Sequence, residues 1–177
     1  KVAVPTVELR AEWKAITGLP ASKAWRIGTW ESSLLKSARV LVIDEIYKMP
    51  RGYIDLAIHS DPTIEMVIAL GDPLQGEYHS THPSSTNSRL LSEPQHLSMY
   101  LDFYCLWSHR VPQNVAAFFH VKTTSKQPGF CRHQRELPNS RILANSQNAG
   151  HTLQQCGYAA VTIASSQGST YENAACI

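Results

Sequence analysis

What this chain of 177 residues lacks narrows it before any motif is read. No apolar run approaches the roughly 18 residues that a bilayer-crossing helix needs, so no membrane span is expected. The four cysteines, Cys105, Cys131, Cys156 and Cys176, stand 26, 25 and 20 residues apart, and no CxxC pair exists. That spacing argues against a disulfide framework or a zinc knuckle and suits free thiols in a reducing compartment. His79 and His82 with Cys131 and His133 match no common zinc pattern either. Internal repeats and low-complexity tracts are missing. So is a signal peptide, and there is no initiator Met; the chain is expected to be a segment of a longer protein.

What is present is a foldable composition. Hydrophobic residues make up 43%, enough for a packed core in one ordinary domain or two small ones. Net charge is only +2, but it is uneven. Residues 1–80 carry nine Lys+Arg against ten Asp+Glu; residues 81–177 carry seven against four. Lys122, Lys126, Arg132, Arg135 and Arg141 face one nearby acid, Glu136. Such a segment is either the footprint of a polyanion binder or a solvated basic loop.

Hydrophobic pattern gives the element order. VAVPT is a short strand, and VELRAEWKAI has Val7, Leu9, Trp13 and Ile16 near helical spacing. GLPASKA is a loop, ESSLLKSA a short helix capped by Thr29 or Ser32, and ARVLVIDE a buried strand. GYIDLAIH is helical and TIEMVIALGD a further strand. Strand and helix in alternation predict a parallel α/β sheet. The Ser/Thr/Pro/His-rich stretch from 79 to 98 predicts a domain boundary near residues 80–97. Beyond it, LSMYLDFYCLW predicts a strand. VPQNVAAFFHV predicts a helix with Val115, Phe118 and Phe119 as its apolar face. Residues 122–150 have no legible periodicity. YAAVTIASSQG predicts a strand running into a Gly turn, and STYENAACI the start of a helix.

Four stretches carry chemistry. VLVIDE ends a buried strand in Asp44 and Glu45; an Asp there can hold Mg²⁺ and a neighbouring Glu can deprotonate an attacking water. IALGDPLQ ends another strand in Asp72, 28 residues after Asp44, with Gln75 close by to bond a phosphate or water. Arg110, just ahead of a helix, has the form of an arginine finger. SSQGST offers Gly168, hydroxyls and N–H groups to a phosphate. Each alone is also what an ordinary strand end, turn or surface Arg looks like. The four tryptophans could stack on bases, but packing is the simpler use of Trp13, Trp25, Trp30 and Trp107.

Taken in order, these stretches resemble the superfamily 1 helicases of alphavirus-like plus-strand RNA viruses. VAVPTVELRAEW is similar to motif Ia, VLVIDEIYKMPRGYIDLAI to motif II and IALGDPLQGEYHS to motif III. YCLWSHRVPQNVAAFF is similar to motif IV and VTIASSQGSTYENAACI to motif V. The longer strings are nearest to the replicases of the tymovirus and potexvirus relatives, and the resemblance covers nearly the whole chain.

The resemblance implies a P-loop NTPase fold: two tandem RecA-like domains of three-layer α/β form with parallel sheets, both incomplete. Residues 1–80 would belong to the first, 81–97 to a connection and 98–177 to the second. It implies ATP (or another NTP) and Mg²⁺ as cofactors, with Asp44 on the metal, Glu45 as base, Gln75 sensing the γ-phosphate and Asp72 supporting the site. Arg110 would be a finger from the second domain. Pro5, Thr6, Gln167 and Thr170 would meet single-stranded RNA, Gly168 the γ-phosphate or RNA backbone, and Glu172 the ribose. Other implied partners are the methyltransferase-like and polymerase domains of one replicase polyprotein, acting in a host-cytoplasmic, membrane-associated complex.

The chain departs from the family pattern in holding no GxxxxGK[ST]; GLPASKA is a near miss. The phosphate loop is expected upstream of Lys1 and the last motif beyond Ile177, so the isolated segment is expected to hydrolyse little or no ATP. A viral movement protein on the same fold, and a non-enzymatic captured remnant, are the alternatives.

Overall fold

The computed structural model describes residues 1–73, 75, 100, 102–133, 136, 139–166, 169, 171 and 173–177. They divide into two compact units, Lys1–Met99 with Asn139–Ile177, and Tyr100–Pro138.

The first unit opens with strand β1 (Val2–Val4) and helix α1 (Val7–Thr17). The Thr6 hydroxyl accepts from Leu9 N at 3.2 Å and so fixes where α1 starts. Gly18 ends it in a left-handed conformation (φ 57°), its N–H closing onto Lys14 O. A 3₁₀ turn (Ala21–Arg26) leads into β2 (Ile27–Thr29) and α2 (Trp30–Leu34). β3 (Val40–Ile43), α3 (Tyr53–Ser60) and β4 (Met66–Ala69) complete this half. The strands form one parallel sheet of order β2-β1-β3-β4. Leu41 and Ile43 of β3 are fully buried and pack with Ala3, Ile46, Met49, Tyr53 and Ala57. Tyr53 anchors α3 by placing its hydroxyl 2.6 Å from Ser33 Oγ and donating to Trp30 O at 3.1 Å. Burial raises the pKa of that phenol.

The same unit holds a second parallel sheet, of order β8-β7-β9, made from β7 (Arg141–Ala144), β8 (Ala160–Thr162) and β9 (Ala174–Cys176). Helix α5 (Gln147–Gln155), capped by Ser146 Oγ on Ala149 N, packs Leu153 against Ile142, Ala144 and Ala160. A short helix α6 (Ile163–Ser166) follows β8. The second unit contains β5 (Trp107–Ser108) and β6 (Lys122–Thr123), paired in parallel, with helix α4 (Gln113–Phe118) between them in sequence.

The parallel α/β character expected from the alternating pattern is therefore present. Several local expectations are not. Among the described residues of STYENAACI none is helical: Ala174–Cys176 pairs with β7 in register Arg141↔Ala174, and the ladder overrides helix propensity. In LSMYLDFYCLW, among the described residues only Trp107 belongs to a strand; 102–106 run unpaired. The 3₁₀ turn Ala21–Arg26 begins within the GLPASKA loop. Thr29 occupies the α2 cap position without a side-chain cap bond. Helix α4 exists, but its expected apolar face is only partly kept: Val115 is half-buried beside the buried Ala116, while Phe118 and Phe119 are 72% and 60% exposed and meet each other edge to face. Likewise α1 buries Leu9 yet leaves Ile16 83% exposed. No helix among the described residues is long and apolar enough to cross a membrane. The 81–97 connection lies outside the described residues.

Candidate functional site: the carboxyl edge of the four-stranded sheet

The strand order fixes where a ligand site belongs. From β1 the chain passes to β2 on one side, then returns to place β3 on the other side of β1. The carboxyl ends of β1 and β3 thus form the point at which the sheet switches direction, where open parallel sheets bind ligands. Pro5 and Thr6 follow β1 there, and Asp44 and Glu45 follow β3. Asp44 N donates to Ala3 O at 3.0 Å, which ties the first acid to the neighbouring strand end.

The acid pair has unusual local geometry. Glu45 adopts a left-handed conformation (φ 54°, ψ 52°), which costs a non-glycine residue about 1–3 kcal/mol and concentrates at functional sites. It opens a 3₁₀ turn, Ile46–Lys48, with Lys48 N bonded to Glu45 O at 2.9 Å. The Oε2 atom of Glu45 is buried. Asp44 Oδ1 accepts from Glu45 N at 3.0 Å, and Asp44 Oδ2 accepts from the Trp13 indole Nε1 at 2.6 Å. With one donor on each oxygen, the carboxylate plane is set and each oxygen keeps lone-pair capacity toward a hydrated cation. That donor set fits Mg²⁺, which is commonly held through one or two carboxylates plus waters and phosphates.

β4 brings a third acid to the same edge. The register Ile43↔Ala69 continues beyond the strands: Leu70 N donates to Ile43 O, and Ile46 N to Leu70 O, both at 2.8 Å. Gly71 is required by this closeness. A Cβ there would stand 2.9 Å from Ile46 Cγ2 and Tyr47 Cδ2 and 3.2 Å from Ile46 N. Asp72 follows, and Gln75 returns to it, N to Asp72 O at 3.1 Å and Nε2 to Asp72 Oδ2 at 3.4 Å, long for a hydrogen bond.

The structure therefore gathers Pro5, Thr6, Asp44, Glu45, Asp72 and Gln75 along one sheet edge. Arg110 belongs to the second unit, exposed in the turn after β5. Ser108 Oγ holds that turn, accepting from Arg110 N at 3.3 Å and Val111 N at 3.1 Å, and Thr123 Oγ1 donates to Val111 O at 2.7 Å. Gln167, Gly168, Thr170 and Glu172 lie outside the described residues.

Three contacts at this edge were not legible in the sequence. Trp13, read there as a packing residue, serves Asp44 across 31 positions. Glu12 Oε1 accepts from Ser169 Oγ at 3.1 Å, and Lys48 Nζ donates to Ala164 O at 2.5 Å. Burial lowers the pKa of the Lys48 ammonium, and the charge of Glu45 opposes that shift. No short pattern announces pairs separated by 116 or 157 residues. Among the described residues no cluster of three or more His, Cys, Asp or Glu could hold a metal, and all four cysteines are free thiols.

Residues 2–177 match the family model of the viral superfamily 1 RNA helicase core domain. The chain belongs to that family. This helicase-core segment is 54% identical over 177 residues to the non-structural replication polyprotein of Ononis yellow mosaic virus, covering 98% of the chain and 10% of that protein. It is 51% identical over 172 residues to the non-structural replication polyprotein of Turnip yellow mosaic virus, covering 97% and 9%. The RNA replication protein of Botrytis virus F is 27% identical over 179 residues, covering 98% and 9%. The segment thus spans about a tenth of the length of the curated relatives it matches. The family suggested by its ordered motifs is the family it belongs to.

Proposed function

We propose that this chain is the central part of an NTP-driven RNA helicase within a viral RNA replication polyprotein, coupling ATP hydrolysis to movement on single-stranded RNA. One observation carries the reading: two adjacent parallel strands lead into Asp44–Glu45 and Gly71–Asp72 along one sheet edge, Asp44–Glu45 at the switch point beside β1, with Glu45 held in a strained left-handed turn. The relatives' names, all replication proteins, favour a replicase over a movement protein or a captured remnant.

In this mechanism Asp44 holds Mg²⁺, which neutralises phosphate charge when bound with ATP. The fixed plane of the Asp44 carboxylate presents its remaining lone pairs in one direction. Glu45, whose Oε2 atom is buried, takes a proton from the attacking water. Gln75 senses the γ-phosphate, and Asp72 orients Gln75. Arg110 acts as a finger from a second RecA-like domain, on a turn that Ser108 and Thr123 hold. Pro5, Thr6, Gln167 and Thr170 meet the RNA, while Gly168 and Glu172 serve the nucleotide. The Thr6 hydroxyl, though it caps α1, retains its proton for a phosphate oxygen. Two tandem RecA-like domains, a methyltransferase-like domain and a polymerase domain complete the parent, in a membrane-associated complex of the host cytoplasm.

Replacing Glu45 with Gln in the intact parent protein tests the reading. ATP binding should persist while turnover falls by about 10²–10⁴-fold, the usual contribution of a general base. Unchanged turnover would remove Glu45 from the role. The 177-residue segment alone, with no GxxxxGK[ST], should show little or no ATPase.

A further inference from the structure

Two consecutive residues of α1 hold two distant parts of the first unit. The Trp13 indole N–H donates to Asp44 Oδ2 at 2.6 Å, and the Glu12 carboxylate accepts from Ser169 Oγ at 3.1 Å. Successive residues on a helix point about 100° apart, so one helix engages both through different faces. Trp13 is only half-buried. The core beneath the sheet is built from Ala3, Leu41, Ile43, Met49 and Tyr53, with Trp30 packed against it. The indole at position 13 is thus placed where its N–H, rather than its area, is in use.

We propose that Trp13 is a positioning residue for Asp44, and that α1 links Ser169 to that carboxylate. The inference rests on the reading of Asp44 as a metal-holding acid. Asp44 has two oxygens to orient. Among the described residues, the adjacent Glu45 N supplies one donor and Trp13 of α1 supplies the other. Without the indole, the carboxylate can rotate and the geometry offered to a hydrated cation is lost. Partners that orient a ligating carboxylate typically change metal affinity by about 10–100-fold when removed. The link to Ser169 follows from rigidity. Glu12 and Trp13 share eleven residues of capped helix, so a displacement of Ser169 moves the indole with it. Thr6, at the start of the same helix, is among the residues assigned to the RNA path. A strand of RNA that shifts α1 would therefore be felt at Asp44 with no direct contact.

The test uses the intact parent protein. Mn²⁺ binding in the presence of a non-hydrolysable ATP analogue is followed by electron paramagnetic resonance. Trp13→Phe keeps an aromatic ring and removes the donor; it should weaken Mn²⁺ binding by about tenfold or more. Trp13→His restores a ring N–H and should recover part of that loss. Wild-type Mn²⁺ binding in Trp13→Phe, or equal loss in both variants, would overturn the positioning role. For the link, Glu12→Ala should leave basal hydrolysis unchanged and reduce its stimulation by single-stranded RNA several-fold, while Glu12→Gln, whose amide oxygen still accepts from Ser169, should retain stimulation. Full stimulation in Glu12→Ala would overturn the link. Glu45→Gln separates the two levels. If that variant hydrolyses normally, the reading of the site fails. If it is inactive while Trp13→Phe binds Mn²⁺ as wild type does, only the present inference fails.

Discussion

The two compact units differ in how much of a core they build. Under the four-stranded sheet, β3 sends Leu41 and Ile43 into a core closed by Met49, Tyr53 and Ala57. In the 100–138 unit Ala116 is buried, while Phe103, Phe118, Phe119 and Phe130 are exposed. Trp107 and Phe130 carry cations over their rings, Lys122 at 5.5 Å and Arg132 at 5.6 Å. The first unit positions its acids through packing and ladder bonds shared by several strands. The second positions Arg110 through hydroxyls that hold one turn, Ser108 and Thr123. Core substitutions should therefore disturb Asp44 and Glu45 through stability, whereas Arg110 should depend on a few local hydrogen bonds.

The sharpest way to break this contrast is Ile43→Ala. Ile43 has no exposed surface and directly precedes Asp44, so the variant should lose about 2–5 kcal/mol in denaturant unfolding. Gly71→Ala comes next. Its new Cβ would crowd the Ile46 backbone nitrogen, which cannot swing away as a side chain can, and about 1–3 kcal/mol should be lost. Calorimetry would show it, and a neutral result would mean that the β3 and β4 ends separate easily.

A pH titration sharpens the comparison further. Asp61, buried in the first unit, accepts from Thr63, from Lys1 Nζ at 2.9 Å and from Ala38 N at 3.0 Å. These bonds, the Thr63 hydroxyl foremost, hold its carboxyl well below the usual range. A depressed folded-state pKa contributes stability that is fully present above the unfolded value of about 3.9 and is lost as pH falls through the folded one. The denaturation midpoint should accordingly drop below about pH 4, and Asp61→Asn should flatten that dependence. The smallest effect belongs to the second unit: Phe118→Ala should stay within about 0.5 kcal/mol of the parent in the same unfolding assay. A larger loss would show that Phe118 is covered in solution.

Much of the first unit was legible because its signals are local. VLVI and MVIA are short apolar runs of strand length, and each leads to a turn bearing an acid. Thr6 and Gly18 bracket a helix with a cap at each end. The second half was less legible for a physical reason. Ala174–Cys176 is a strand only because β7 offers it a ladder, and Ala116 rather than Phe118 is the buried face of α4. Neither fact is encoded within a few residues of the position.

By itself the sequence determined the parallel α/β class, the family and the acids at the strand ends, since period, turn chemistry and ordered motifs are properties of neighbouring residues. The tertiary structure alone decided that β1 stands beside β3, so that Thr6 and Asp44 share a switch point. It alone also turned Trp13 into a hydrogen-bond donor to Asp44 and required glycine at position 71. Those outcomes depend on which strands pair and how closely their ends approach, and distances across a fold are set by packing.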